Sequence, residues 1–293
     1  MNASSLIAAT CITAGTTVAS AWRWRLIAGA LGLRMSLGEA VASYYRSQFL
    51  NNVLPGGVLG DLHRGVRHGA RTLDVARGVR SVVWDRVAGQ AAQLIFAAVV
   101  LLGLASPVRT TTAVIVGFAL IGAGLLAAML LAVPTGSASG SARLARTLRH
   151  DVRAGLRTSR IGPAVFVASA LVVVGHVGVF FVAATANGTP VSIPTLLPLA
   201  MLVLLAMALP FNVGGWGPRE GVAAWAFAVA GLGAAQGAAT ATTYGVLSLV
   251  ATCPGALVLL LSRESRPFAS PPVASVGRPG VLMTAGSARV TDG

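Results

Sequence analysis

Charged side chains that directly follow glycine-rich breaks are the residues of this chain best placed to do chemistry. Asp61 and Arg64 follow Gly60, Arg219 and Glu220 follow Gly217, and Asp85 with Arg86 opens an apolar run. A helix that restarts after a break presents free backbone N–H groups and the positive end of its dipole, which together attract anions. Glycine lets a ligand come close to that backbone. Guanidinium groups add fixed positive charge, and the carboxylates can pair with them or with an amine. In lipid a central charge costs about 2.5–3.5 kcal/mol on the insertion scale, so such residues pair or serve a function. The plainer alternative is a set of ion-paired helix ends at the membrane surface, where charge is cheap. The candidate binding residues are Asn52, Pro55, Gly56, Gly57, Gly60, Asp61 and Arg64 in the first break. Asp85 and Arg86 follow, and Gly214, Gly215, Gly217, Arg219 and Glu220 make up the second break. Arg219 is a candidate partner for Asp85 or Asp61. Neighbours on one helix point apart, so Asp85 and Arg86 are expected to pair with other segments.

Other chemistry finds no motif. No metal-binding spacing, nucleophile elbow or phosphate-binding loop occurs, so the expectation is a non-enzymatic protein without a cofactor. His176 lies inside an apolar span, where a hydrogen-bonded packing histidine is favoured over a proton relay. Cys11 and Cys253 sit in apolar segments and read as small core residues.

The surrounding sequence sets these residues in a membrane. Of 293 residues, 55% are hydrophobic and 10% charged, and mean hydropathy is +0.77, outside the range of soluble domains. The apolar runs are continuous rather than alternating, which predicts an all-α polytopic protein instead of a barrel. The net charge of +14 comes from arginine alone, because the chain has no lysine; that bias fits a GC-rich bacterial genome. These arginines flank apolar spans, which is the positive-inside pattern rather than a nucleic-acid surface.

Apolar runs occur at residues 2–21, 87–105, 111–133, 163–184, 193–209, 221–233 and 238–261. The Trp22-Arg23-Trp24-Arg25 stretch reads as an interfacial anchor after the first run. A cleavable signal peptide is the weaker reading, because no positive charge precedes that run. Arginine clusters at residues 64–86, 143–160 and 263–266 place those segments in the cytoplasm of a multi-pass inner-membrane protein. The neighbourhoods of Pro107 and of residues 187–190 belong outside. Residues 143–160 carry leucine and valine four apart opposite five arginines, as an amphipathic interfacial helix or a topology-setting loop would. Residues 263–293 read as a disordered cytoplasmic tail behind a membrane domain at 1–262.

Since residues 23–34 and 64–80 both belong inside, the first break is expected at the tip of a re-entrant hairpin whose first helix covers residues 37–51. In the second half, residues 193–209 and 221–233 form a second hairpin entered from outside. Three separate crossings would fit the same charges, but the run at 221–233 is short for a span. Hairpins with similar breaks and opposite entry constitute an inverted repeat, with binding near the midplane.

At these motifs the chain resembles the flippase-like family that includes the membrane region of lysylphosphatidylglycerol synthase. The resemblance rests on Arg23-Trp24, on residues 51–64 with Leu-Pro-Gly-Gly and Gly-Asp-x-x-Arg, on Asp85-Arg86, and on residues 214–220 with Gly-x-Arg-Glu. It implies a membrane domain that moves a lipid or lipid-linked headgroup between leaflets, its substrate an anionic, aminoacylated or glycosylated membrane phospholipid. The chain has no room for the soluble aminoacyltransferase domain of the fused synthases, so their synthase activity is not implied. Set against the pattern the resemblance implies, it is expected to start one helix late. The rival expectations are a secondary transporter of a small solute and a scaffold for a glycosyltransferase or lipid-modifying partner.

Overall fold

Local signals set where the helices begin. A computed structural model describes residues 2–104, 146–151, 161–189, 192–207 and 217–261. Helix α1 (Ala3–Ala30) starts at Asn2, whose side chain accepts from the Ser5 N–H at 3.0 Å. Helix α2 (Leu37–Val53) opens with a capping box: the Ser36 hydroxyl accepts from the Glu39 N–H, and the Glu39 carboxylate accepts from the Ser36 N–H. Gly56 and Gly57, at φ +85° and +60°, turn the chain into α3 (Leu59–Arg71), a conformation that L side chains resist. Asp74 caps α4 (Val75–Gly103) through the Arg77 N–H. The second half holds α5 (Ile161–Ala186), α6 (Ile193–Met207), α7 (Pro218–Val229), α8 (Ala234–Thr252) and α9 (Pro254–Leu261). All the elements among the described residues are helices.

Among the described residues, four stretches are long and apolar enough to cross a membrane: α1, α4, α5, and α8 continued by α9. Large apolar side chains such as Ile95, Val99, Leu171 and Leu257 stand exposed on their outer faces, as lipid-facing surfaces require. Helix α1 is central and touches α2, α4, α5 and α8. It meets α5 through small residues, with Gly175 set directly against Thr16, the close packing typical of membrane helices.

The described part of α6, Ile193–Met207, is buried by protein along nearly its whole length from Leu196 to Ala206. The halves share a packing order: α2 packs on α3 and α3 on α4, and likewise α6 on α7 and α7 on α8.

Two local expectations change. Helix α1 continues through Trp22-Arg23-Trp24-Arg25 to Ala30, with Arg23 and Trp24 buried; those two are interior residues, not interfacial anchors. Cys11 and Cys253 are exposed, so neither packs in the core. The expected span at 111–133, the tail at 263–293, and residues 208–216 with Gly214 and Gly215 lie outside the described residues. Of the arginine-rich segment at 143–160, residues 146–151 are described and are helical. Asp151 there accepts from Arg80 at 2.9 Å and ties the segment to α4.

Candidate functional site

Three helices bring five charges into one chain. Asp85 on α4 accepts from Arg23 Nε of α1 at 2.8 Å through Oδ1, and from Arg64 Nη2 of α3 at 3.1 Å through Oδ2. The same Arg64 Nη2 donates to Asp61 Oδ1 at 3.0 Å. Asp61 Oδ2 then accepts from Arg86 Nε at 2.5 Å. Positive and negative groups thus alternate in the order Arg23, Asp85, Arg64, Asp61, Arg86. Three guanidiniums against two carboxylates leave one positive charge in excess.

Hydroxyl groups add donors to both carboxylates. The Tyr44 hydroxyl donates to Asp85 Oδ2 at 2.6 Å, and Ser47 Oγ donates to Asp61 Oδ1 at 2.7 Å. Arg23 Nη1 donates to Ser169 Oγ on α5 at 3.2 Å. Asp85 is fully buried and Arg64 is 1% exposed. A charge so placed persists only with close partners and satisfied hydrogen bonds. Arg64 also lies over the rings of Trp24 and Tyr44, at 4.4 Å and 4.0 Å from their centroids, which compensates for lost hydration. Arg86 is the accessible member, with its side chain 37% exposed.

Glycine makes the chain's geometry possible. A Cβ at Gly60 would meet the Ser47 carbonyl oxygen, so only glycine lets the start of α3 press against α2. That contact brings Asp61 to Ser47 and lets the Gly60 N–H donate to Asn51 Oδ1 at 2.8 Å. The Gly57 carbonyl accepts from Arg86 Nη2 at 2.8 Å, so the turn itself holds the last guanidinium.

This chain of charges borders a cavity of about 250 Å³ lined by Arg23, Asp61, Arg86, Gln90, Gln93, His176 and Tyr244, among others. Excess positive charge, side-chain amides and a hydroxyl around one space suit an anion carrying further polar groups. Among the described residues, no group of three or more histidine, cysteine or carboxylate side chains converges.

Of the residues expected from sequence, Gly57, Gly60, Asp61, Arg64, Asp85 and Arg86 come together here. Asn52 turns elsewhere and donates to Thr252 of α8 at 3.1 Å. Pro55 and Gly56 shape the turn. The Arg219 pairing is corrected: its partner is not Asp85 or Asp61 but Glu220, at 2.6 Å. Glu220 folds back to accept the Gly217 N–H at 2.7 Å, and this places its other oxygen beside the adjacent guanidinium. Arg219 lies against Gly245, where a Cβ would collide with it, and 5.7 Å from the Tyr244 ring centroid. Through Tyr244, whose hydroxyl is 3.0 Å from His176 Nδ1, it approaches the cavity from the second half. Sequence reasoning missed Arg23, Tyr44 and Ser47, and also Gln48, which lines the cavity. Gly89 makes room for Arg23, because a Cβ there would sit 3.0 Å from Arg23 Nη1.

The family model of the lysylphosphatidylglycerol synthase TM region matches residues 1–255. The chain belongs to that family. Neither a curated protein nor a solved structure matches it. The match takes in all three segments that build the charge chain. Membership in the lysylphosphatidylglycerol synthase TM region family, together with span-length apolar helices, makes this a multi-pass membrane protein and points to lipid handling.

Proposed function

We propose that the protein is a lipid flippase that carries an anionic headgroup, bare or bearing an aminoacyl or glycosyl substituent, between leaflets of the cell inner membrane. One observation carries this reading: a buried charge chain with one positive charge in excess opens on a polar cavity among membrane-length helices. Arg86, the most exposed of its guanidiniums, takes the headgroup phosphate in place of Asp61. Asp61 is then free to accept an amine on the substrate. Gln90, Gln93 and Tyr244 supply hydrogen bonds in place of water. Acyl chains stay in the bilayer, and no covalent step is required. The two helix hairpins, α2 with α3 and α6 with α7, act as re-entrant elements entered from opposite faces, and the C-terminus is cytoplasmic. A lipid-modifying enzyme or glycosyltransferase is the kind of partner that would supply the substrate.

Proteoliposomes with fluorescently labelled phosphatidylglycerol test the proposal. Leaflet exchange is expected for the wild type and at least about ten-fold slower for Arg86→Gln, the loss expected when one charged hydrogen bond is removed. Exchange equal in both proteins overturns the site. Uptake of a soluble anion without leaflet exchange favours a small-solute transporter instead.

A further inference from the structure

A second concentration of positive charge lies beside α2 and α3, apart from the cavity just described. A pocket of about 220 Å³ is lined by Arg34 from the α1–α2 connection, Arg46 from α2, and Arg64, Arg67 and Arg71 from α3, with His68 and Glu39. Five guanidiniums thus face one carboxylate. That carboxylate is already engaged by the Ser36 N–H at 2.9 Å and the Ser36 hydroxyl at 3.0 Å.

The negative end of the α3 dipole accounts for His68 and Arg71 in its last turn. It supplies only about half an elementary charge, too little for Arg34, Arg67 and Arg71 together, even with Arg64 already paired to Asp61 and Asp85. Burial, followed by repulsion from Arg67 and Arg71, pushes the Arg46 guanidinium down to about 10. Arg64 is 1% exposed, yet its Nε and Nη1 have no hydrogen-bond partner among the described residues, and neither does His68 Nε2. A buried donor without an acceptor is costly. The unpartnered Arg64 nitrogens, set in this positive pocket, call for an anion with several acceptor oxygens.

We propose that this pocket is a second anion site that takes a phosphate group, held by Arg34, Arg67 and Arg71 at the mouth and backed by Arg64. Guanidinium forks match phosphate oxygens in pairs, which suits a phosphate better than a halide or a single carboxylate. Arg64 belongs to both sites: its Nη2 holds Asp61 and Asp85, while the side chain lines the basic pocket. Phosphate bound there draws on the guanidinium that closes the inner charge chain, so occupancy of the two sites is coupled. The proposal stands whether or not the protein moves lipid.

Calorimetric titration of the full chain in phosphatidylcholine nanodiscs tests it with two probes, inorganic phosphate and dihexanoyl phosphatidic acid. Binding of either probe, weakened about ten-fold or more by Arg34→Gln with Arg71→Gln, is the expected result. The tighter probe identifies the source as free phosphate or lipid headgroup. Both replaced residues are exposed, and an unchanged melting temperature establishes that the variant is folded. Binding of neither probe overturns the proposal. So does binding that the double variant leaves intact while Arg86→Gln abolishes it, because the ion would then sit in the inner cavity.

Discussion

Arg23 Nε and Asp85 Oδ1 meet at 2.8 Å across 62 positions of sequence, joining α1 to α4 where both side chains are buried. Each group is buried because the other is there. Asp85 also neutralises Arg64, so this one carboxylate holds two helices against its own.

Removing Asp85 therefore exposes two buried cations to a low-dielectric interior. Asp85→Ala is expected to lower stability by about 3–5 kcal/mol. Pairing Arg23→Gln with Asp85→Asn should cost less than the sum of the single changes, because the residues share one interaction. Denaturant unfolding in detergent micelles reads both quantities, and additive costs would show that the contact contributes little.

Gly245 leaves the space that the Arg219 guanidinium fills. Gly245→Ala should destabilise by about 1–3 kcal/mol through overpacking. In an Arg219→Ala background most of that cost should vanish. Equal costs in both backgrounds would mean that the helix backbone, not the arginine, sets the requirement for glycine.

Gly60→Ala places a methyl against the Ser47 carbonyl and 2.8 Å from Asn51 Oδ1. The expected result is separation of α2 from α3, with a loss of about 1–3 kcal/mol. Leaflet exchange should fall as Asp61 withdraws from Ser47. Gly38→Ala, where nothing lies within 4 Å, serves as the control and should be tolerated.

The Ser36–Glu39 capping box predicts a pH dependence with a definite sign. Hydrogen bonds from the Ser36 N–H and hydroxyl hold the Glu39 carboxyl below its ordinary value of 4.5. A carboxylate whose folded pKa is depressed contributes stability above the unfolded value and loses it as pH falls through the folded value. Melting temperature should therefore decline more steeply below about pH 4.5 in the wild type than in Glu39→Gln. At neutral pH, Ser36→Ala should cost about 0.5–2 kcal/mol. Parallel pH profiles for wild type and Glu39→Gln would contradict this assignment.

Much of this arrangement is legible along the chain, because it depends on neighbours in sequence. The Pro55-Gly56-Gly57 turn follows from glycine's access to positive φ, and α2 ends at Val53, two residues beyond the expected 51. The pairing of Asp85 and Arg86 with other segments follows from helical geometry. Arg23 was hidden for a physical reason: Trp-Arg-Trp-Arg after an apolar run has the same local pattern whether it sits at an interface or continues an interior helix. The partner of Arg219 was hidden differently. Residues adjacent on a helix diverge, but Glu220 folds back over the helix start to reach the Gly217 N–H and so meets its neighbour.

By itself the sequence determined the solvent, the described helices and the first break, since partition into lipid and backbone preference are summed over short stretches of chain. Tertiary structure decided which carboxylate meets which guanidinium, where the cavity opens, and that Arg64 pairs with Asp61 and Asp85 while it lines the basic pocket. Those outcomes depend on distances between helices far apart in sequence. A contact of a few ångströms between α1 and α4 is set by how closely small residues let the helices approach, and no local pattern encodes it.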